Sequence, residues 1–245
     1  MKDGIFQIWV FLASSPLLWL TLTLTIYAGS VTLYRKAGST PFLLPVLTSV
    51  LALVSILLLT DTPYPVYFDG AKFIHFMVGP ATVALAIPLY GQLQQLKKIW
   101  RPVCIALIAG SVTAIVSTTL IAWALGGSLE TIVSLAPRSA TMPIAMALAD
   151  HFGGQASLAA VAVALTGISG TIIAHPLLKL FKVQHPAARG FALGVTAHAI
   201  GTARALQVHE KVGAFAALGM GLNGILTAML MPLLPLLLAF LGVLS

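Results

Sequence analysis

The chain has 245 residues, 59% of them hydrophobic and 8% charged, with a mean hydropathy of +1.01. A soluble domain carries about 25% charged residues, so 13 basic and 6 acidic side chains cannot cover a water-exposed surface of this size. The lone Cys104 excludes a disulfide scaffold, and the net charge of +7 is scattered between apolar segments, not gathered into a stripe that would hold nucleic acid.

The pattern is that of an all-α polytopic membrane protein, a single transmembrane domain over 1–245 with about seven to eight membrane segments, each needing about 20 apolar residues. In chain order, 6–28 and 41–59 read as two leading spans within 1–60. The first carries Pro16 and runs into Arg35-Lys36, which marks it as a span and not a cleaved leader. Segment 67–90 contains Gly79-Pro80-Ala81-Thr82 and closes with Pro88, so it is expected to break near its middle. Segment 102–125 is a plain span. Segment 128–151 contains Ala136-Pro137-Arg138-Ser139-Ala140-Thr141-Met142-Pro143 and is expected to break as well. A plain span follows at 155–178, then the irregular, glycine-rich 188–207, and last 212–241, kinked by Pro232 and Pro235.

Ala81–Ile87 aligns with Ala140–Met146 at an offset of 59, each stretch following a proline-containing break. This suggests an inverted repeat with units at 61–125 and 126–185, and a C-terminal broken segment and long helix over 186–245. The basic clusters Arg35-Lys36, Lys97-Lys98-Arg101 and Lys179-Lys182-Arg189 are expected in the cytoplasm. That orientation makes 67–90 a crossing segment and 128–151 a re-entrant element; the alternative, in which 128–151 crosses, puts the 179–189 basics outside.

Broken helices survive in lipid only where protein or a water-filled cavity surrounds them, and they are the best pointer to a transporter binding site. Each break frees N–H groups at a half-helix N-terminus, where an anion is favoured. Thr82, Ser139 and Thr141 stand at or just after the breaks, either capping them or donating to a carboxylate. Arg138 lies inside the second break. It either neutralises an anionic substrate, pairs with Glu130 or Asp150, or snorkels to headgroups. Gly190, Gly194 and Gly201 read as packing positions. His198, among small residues, is either a ligand or proton carrier or a hydrogen-bonded core residue. Asn223, between Gly221 and Gly224, reads as interhelical glue before ligand. His75, His151, His175, His185 and His209 lack metal-ligand spacing, and no catalytic motif occurs, so neither a metal, a cofactor nor an enzyme is expected.

Three stretches resemble the signatures of the LrgB/CidB family: Gly79-Pro80-Ala81-Thr82 through Tyr90, Pro137-Arg138-Ser139-Ala140-Thr141-Met142-Pro143-Ile144-Ala145, and Ala188-Arg189-Gly190 through His198-Ala199-Ile200-Gly201-Thr202-Ala203-Arg204. The resemblance covers roughly 16–240. The family's second motif usually reads Lys-Ser-Val-Thr-Thr-Pro, so this chain has lost a hydroxyl at Met142. The resemblance implies a bacterial inner-membrane protein with one of two roles. The first is transport of small monocarboxylates such as glycolate, glycerate or pyruvate by alternating access, one repeat-derived bundle moving elevator-like against the other. The second is antiholin-like or holin-like control of murein hydrolases with an LrgA/CidA-type membrane subunit. The expected partners are the lipid bilayer, a small carboxylate, that subunit and further copies of the chain, with no nucleic acid. Candidate substrate-binding residues are Pro80, Thr82, Arg138, Ser139, Thr141, His198, Gly201, Thr202, Arg204 and Asn223.

Overall fold

A computed structural model describes residues 15–242, which are helical with short connections and, among the described residues, contain no strand. Residues 6–14 of the first expected span lie outside the described part. Five helical stretches are long and apolar enough to cross a membrane: Pro16–Lys36, Tyr64–Tyr90, Leu93–Ala124, Ala156–Leu180 and Glu210–Phe240. The chain is a multi-pass membrane protein. It divides into two compact units, 1–84 and 85–245.

In the first unit, α1 (Pro16–Lys36), α2 (Pro45–Leu59), α3 (Tyr64–Phe76) and α4 (Val78–Ala84) follow one another. A proline opens each of α1 and α2, where its missing N–H is not needed. Helix α3 packs on α1 through Gly70, whose missing side chain leaves room for the Pro16 carbonyl and Trp19; the Trp19 and Tyr67 rings meet edge-on at 6.0 Å. Asp69 lies inside α3 and pairs with Lys72 at 2.8 Å.

The expected break in 67–90 is milder than its prolines suggest. Helical bonding lapses only at Met77 and Leu85, and both residues keep right-handed helical dihedrals. Pro80 and Pro88 fall in the first turns of α4 and α5 (Ala86–Tyr90), where a missing donor does not interrupt a helical bond.

The second unit contains α5 and α6 (Leu93–Ala124), kinked at Ile99 ahead of Pro102. Next come α7 (Leu129–Leu135) and α8 (Met142–His151), two short arms of a hairpin whose tip is residues 136–141. Ser128 caps α7 by accepting from Thr131 N–H at 3.2 Å. The last turn of α7 is tied to the far end of the hairpin where the Gln155 N–H donates to Ser134 Oγ at 2.7 Å, just before α9 (Ala156–Leu180) begins.

Helix α10 (Pro186–Val208) is a second hairpin. His198 sits at φ 39°, ψ −129°, and there the chain reverses. A Cβ on Gly201 would lie 2.9 Å from the Leu193 carbonyl oxygen, whereas an unbroken helix separates residues eight apart by about 12 Å. The outgoing arm, 186–197, then runs alongside the start of α11 (Glu210–Leu230) in the same direction. Gly190 meets the Val212 carbonyl, Gly194 the Ala216 carbonyl, and Gly219 the Phe191 carbonyl. Small residues permit this backbone contact. A 3-10 turn at Met231–Leu233, with Pro232 in it, leads into α12 (Leu234–Phe240).

The order is therefore long helix, hairpin, long helix, hairpin, long helix. One apolar core packs Ile115 and Ala122 of α6 against Ile132 and Val133 of α7 and Leu234 and Leu238 of α12. A second joins Val103, Phe191, Val195, Phe215 and Leu218.

Candidate functional site

Between the tips of the two hairpins lies a cavity of about 390 Å³, within the range of about 300–1,000 Å³ usual for small-molecule sites. Its walls are Ala109, Gly110, Thr113 and Ala114 of α6, Thr166 of α9, Arg138 and Ser139 of the first tip, and Val195 and Thr196 just before the second. Ser139 and Val195 are buried, whereas Ala109, Thr113 and Thr196 are exposed, so the cavity is open on their side.

Arg138 supplies the charge. Its Nε donates to Thr118 Oγ1 at 2.6 Å and its Nη1 to Thr166 Oγ1 at 3.3 Å. Neither Glu130 nor Asp150 pairs with it; the salt bridge found among the described residues is Lys72–Asp69. A guanidinium has five donors, of which two are engaged among the described residues, and Arg138 lines the cavity. Thr166 is ten residues into α9, about 15 Å along the helix.

The tip is held by a neutral polar bridge. Asn223, wholly buried on α11, donates from Nδ2 to the Ser139 carbonyl at 2.9 Å and to Ser139 Oγ at 3.4 Å, and its Oδ1 accepts from Ser111 Oγ of α6 at 2.6 Å. Asn223 therefore ties three elements together and does not line the cavity.

His198, 3% exposed, forms the second tip. Its Nε2 is 2.9 Å from the Val163 carbonyl, so Nε2 donates. The ring lies against Gly167, where a Cβ would come within 2.6 Å of Cε1. Thr202 Oγ1 donates back to the His198 carbonyl at 2.7 Å. His198, Gly201 and Thr202 thus build the reversal next to Val195 and Thr196 and do not themselves line the cavity. Thr141 is the residue before α8 and makes no side-chain capping bond. Arg204 is half-buried on the returning arm of α10, away from the cavity lining. Pro80 is exposed on α4 in the first unit, and the side chain of Thr82 is outside the described part.

Sequence reasoning missed Thr113, Thr118, Thr166 and Thr196. All four sit in helices that read as plain spans or packing surfaces. The signal present was the hydroxyl-rich run from Ser111 to Thr119 in α6; it is weak because such residues usually satisfy themselves on their own helix, as Thr118 partly does by donating to the Ala114 carbonyl at 2.6 Å. Among the described residues no three His, Cys, Asp or Glu side chains gather, and no metal site is assigned.

The chain matches the LrgB-like family over residues 23–237. It is 37% identical over 215 residues to the uncharacterized protein YwbG of Bacillus subtilis, covering 88% of this chain and 95% of the relative. An uncharacterized protein of Haemophilus influenzae is 35% identical over 184 residues, 75% and 80% of the two chains. The antiholin-like protein LrgB of Bacillus mycoides is 29% identical over 219 residues, 89% and 95% of the two chains. No solved structure matches.

Proposed function

The chain belongs to the LrgB-like family, and from that membership and the Arg138 cavity we propose that it moves small monocarboxylates across the bacterial inner membrane by alternating access. The observation that carries this reading is Arg138 itself: a half-buried cation at a cavity, whose partners among the described residues are two threonine hydroxyls. A buried cation in a membrane protein is costly unless it has a partner, and a ligand carboxylate supplies one. Ser139, Thr113, Thr166 and Thr196 add hydroxyls suited to the oxygen that a 2-hydroxy or 2-oxo acid bears beside its carboxylate.

Under this reading the two hairpin tips are the gates, one at 136–141 and one at His198. The order of elements favours repeat units of α6–α8 and α9–α10, each a long helix followed by a hairpin, in place of units at 61–125 and 126–185. A homo-oligomer and an LrgA/CidA-type partner belong to the same proposal.

Proteoliposomes containing the purified chain, with and without such a partner, and given labelled glycolate or pyruvate, test the reading. Uptake above empty vesicles that disappears in Arg138→Gln is the expected result. No uptake under either condition overturns it. A second reading draws on relatives named antiholin-like protein LrgB: an antiholin-like role, which the resemblance described above connects with control of murein hydrolases. It predicts altered autolysis on deletion that Arg138→Gln does not reproduce.

A further inference from the structure

The contacts of Arg138 assign a role to a residue outside every signature motif. We propose that Thr118 is the positioning residue of the anion site: it occupies the Nε edge of Arg138 and thereby presents the terminal Nη edge to the ligand. The inference rests on the reading of the cavity as a carboxylate site and deepens it.

A guanidinium can grip a carboxylate with two parallel bonds either along its side, through Nε and one Nη, or across its end, through both Nη groups. Here the side edge is already committed. Arg138 Nε donates to Thr118 Oγ1 at 2.6 Å, the shorter of its two bonds. Thr118 is itself fixed, because its proton goes to the Ala114 carbonyl at 2.6 Å, which turns the lone pairs of its oxygen toward the arginine. The bond thus runs from the backbone of α6 through a buried hydroxyl to the guanidinium, with no freely rotating link. Thr166 takes one proton of Nη1 at 3.3 Å. Among the described residues, both protons of Nη2 and one of Nη1 have no acceptor, and Arg138 lines the cavity.

Thr166 differs from Thr118 in a way that fits the same scheme. Among the described residues its hydroxyl proton has no acceptor, and Thr166 lines the cavity directly. It is therefore able to donate to the bound anion while accepting from Nη1. Thr118 is absent from the lining, so it acts only through Arg138. A lysine at 138 would lack both the Nε donor and the planar fork, so the pair Thr118–Arg138 works as one unit.

The test measures binding of glycolate and of pyruvate to the full chain in nanodiscs by calorimetry, together with KM and maximal flux in proteoliposomes. The variants are Thr118→Val, Thr118→Ser, Arg138→Lys and Arg138→Gln, with Thr118→Ala replacing the valine variant should that one fail to insert. Thr118→Val is expected to weaken binding and raise KM about tenfold with maximal flux per inserted carrier retained, Thr118→Ser to stay within about twofold of the parent, and Arg138→Lys to fall with Thr118→Val. A purely structural Thr118 lowers the amount of active carrier and leaves KM alone. Wild-type affinity and KM in Thr118→Val, with binding lost in Arg138→Gln, overturn the positioning role and leave the cavity reading standing. No binding by the parent, or equal binding by Arg138→Gln, overturns the cavity reading and this inference with it.

Discussion

Asn223 of α11 and Ser139 of the first hairpin tip are joined by a hydrogen bond of 2.9 Å from the Asn223 amide to the Ser139 carbonyl, and the same amide oxygen receives the Ser111 hydroxyl of α6. One neutral side chain thus secures a tip that lacks regular helical bonds of its own. Asn223→Leu leaves a carbonyl and a hydroxyl unpaired inside the fold. It should destabilise the protein by roughly 1–3 kcal/mol, more than Ser111→Ala does. Thermal melting in detergent measures both, and equal melting of the two variants contradicts the bridge.

His198 supports an inverted order of substitutions. Alanine normally stabilises a helix relative to glycine by about 1 kcal/mol. At φ 39°, ψ −129° the preference reverses, because only glycine adopts that backbone without strain. Both His198→Ala and His198→Gly lose the bond to the Val163 carbonyl, so His198→Gly should melt above His198→Ala. The opposite order argues against the reversal.

Gly167 gives an independent check on the second tip. The imidazole of His198 occupies the space where its Cβ would be. Gly167→Ala should expel the ring, remove the Val163 bond and cost about 1–3 kcal/mol, with flux falling at the same time. Gly170→Ala, whose added carbon would meet Ala197 Cβ at 3.2 Å, should be milder. Chemical accessibility of His198 to a histidine reagent reads the expulsion directly.

Two capping positions separate structure from function at the first hairpin. Ser128→Ala removes a cap and should cost about 0.5–2 kcal/mol. Thr141 makes no capping bond, so Thr141→Ala should lower the melting temperature less. Denaturation by heat distinguishes the two.

Much of this was readable from residue types alone. Pro137 and Pro143 bracket the tip of the first hairpin, and Arg138 with Ser139 was marked out by charge and hydroxyl inside an apolar segment. The long helices at 93–124 and 156–180 follow from their apolar runs. Pro80 misled in degree, since a proline in a first turn looks the same in sequence as one that breaks a helix. The reversal at His198 was not legible, because histidine carries no dihedral signal and the flanking glycines read equally well as packing. Thr118 and Thr166 were hidden for another reason: their partner is twenty or more residues away, and no local spacing reveals it.

The cavity lining holds one cation, Arg138, and no acidic side chain. A lone fixed positive charge in a low-dielectric hollow repels sodium ions and hydronium as strongly as it welcomes an anion. Under the proposed reading, such a lining discriminates by the sign of a charge before it discriminates by size or shape.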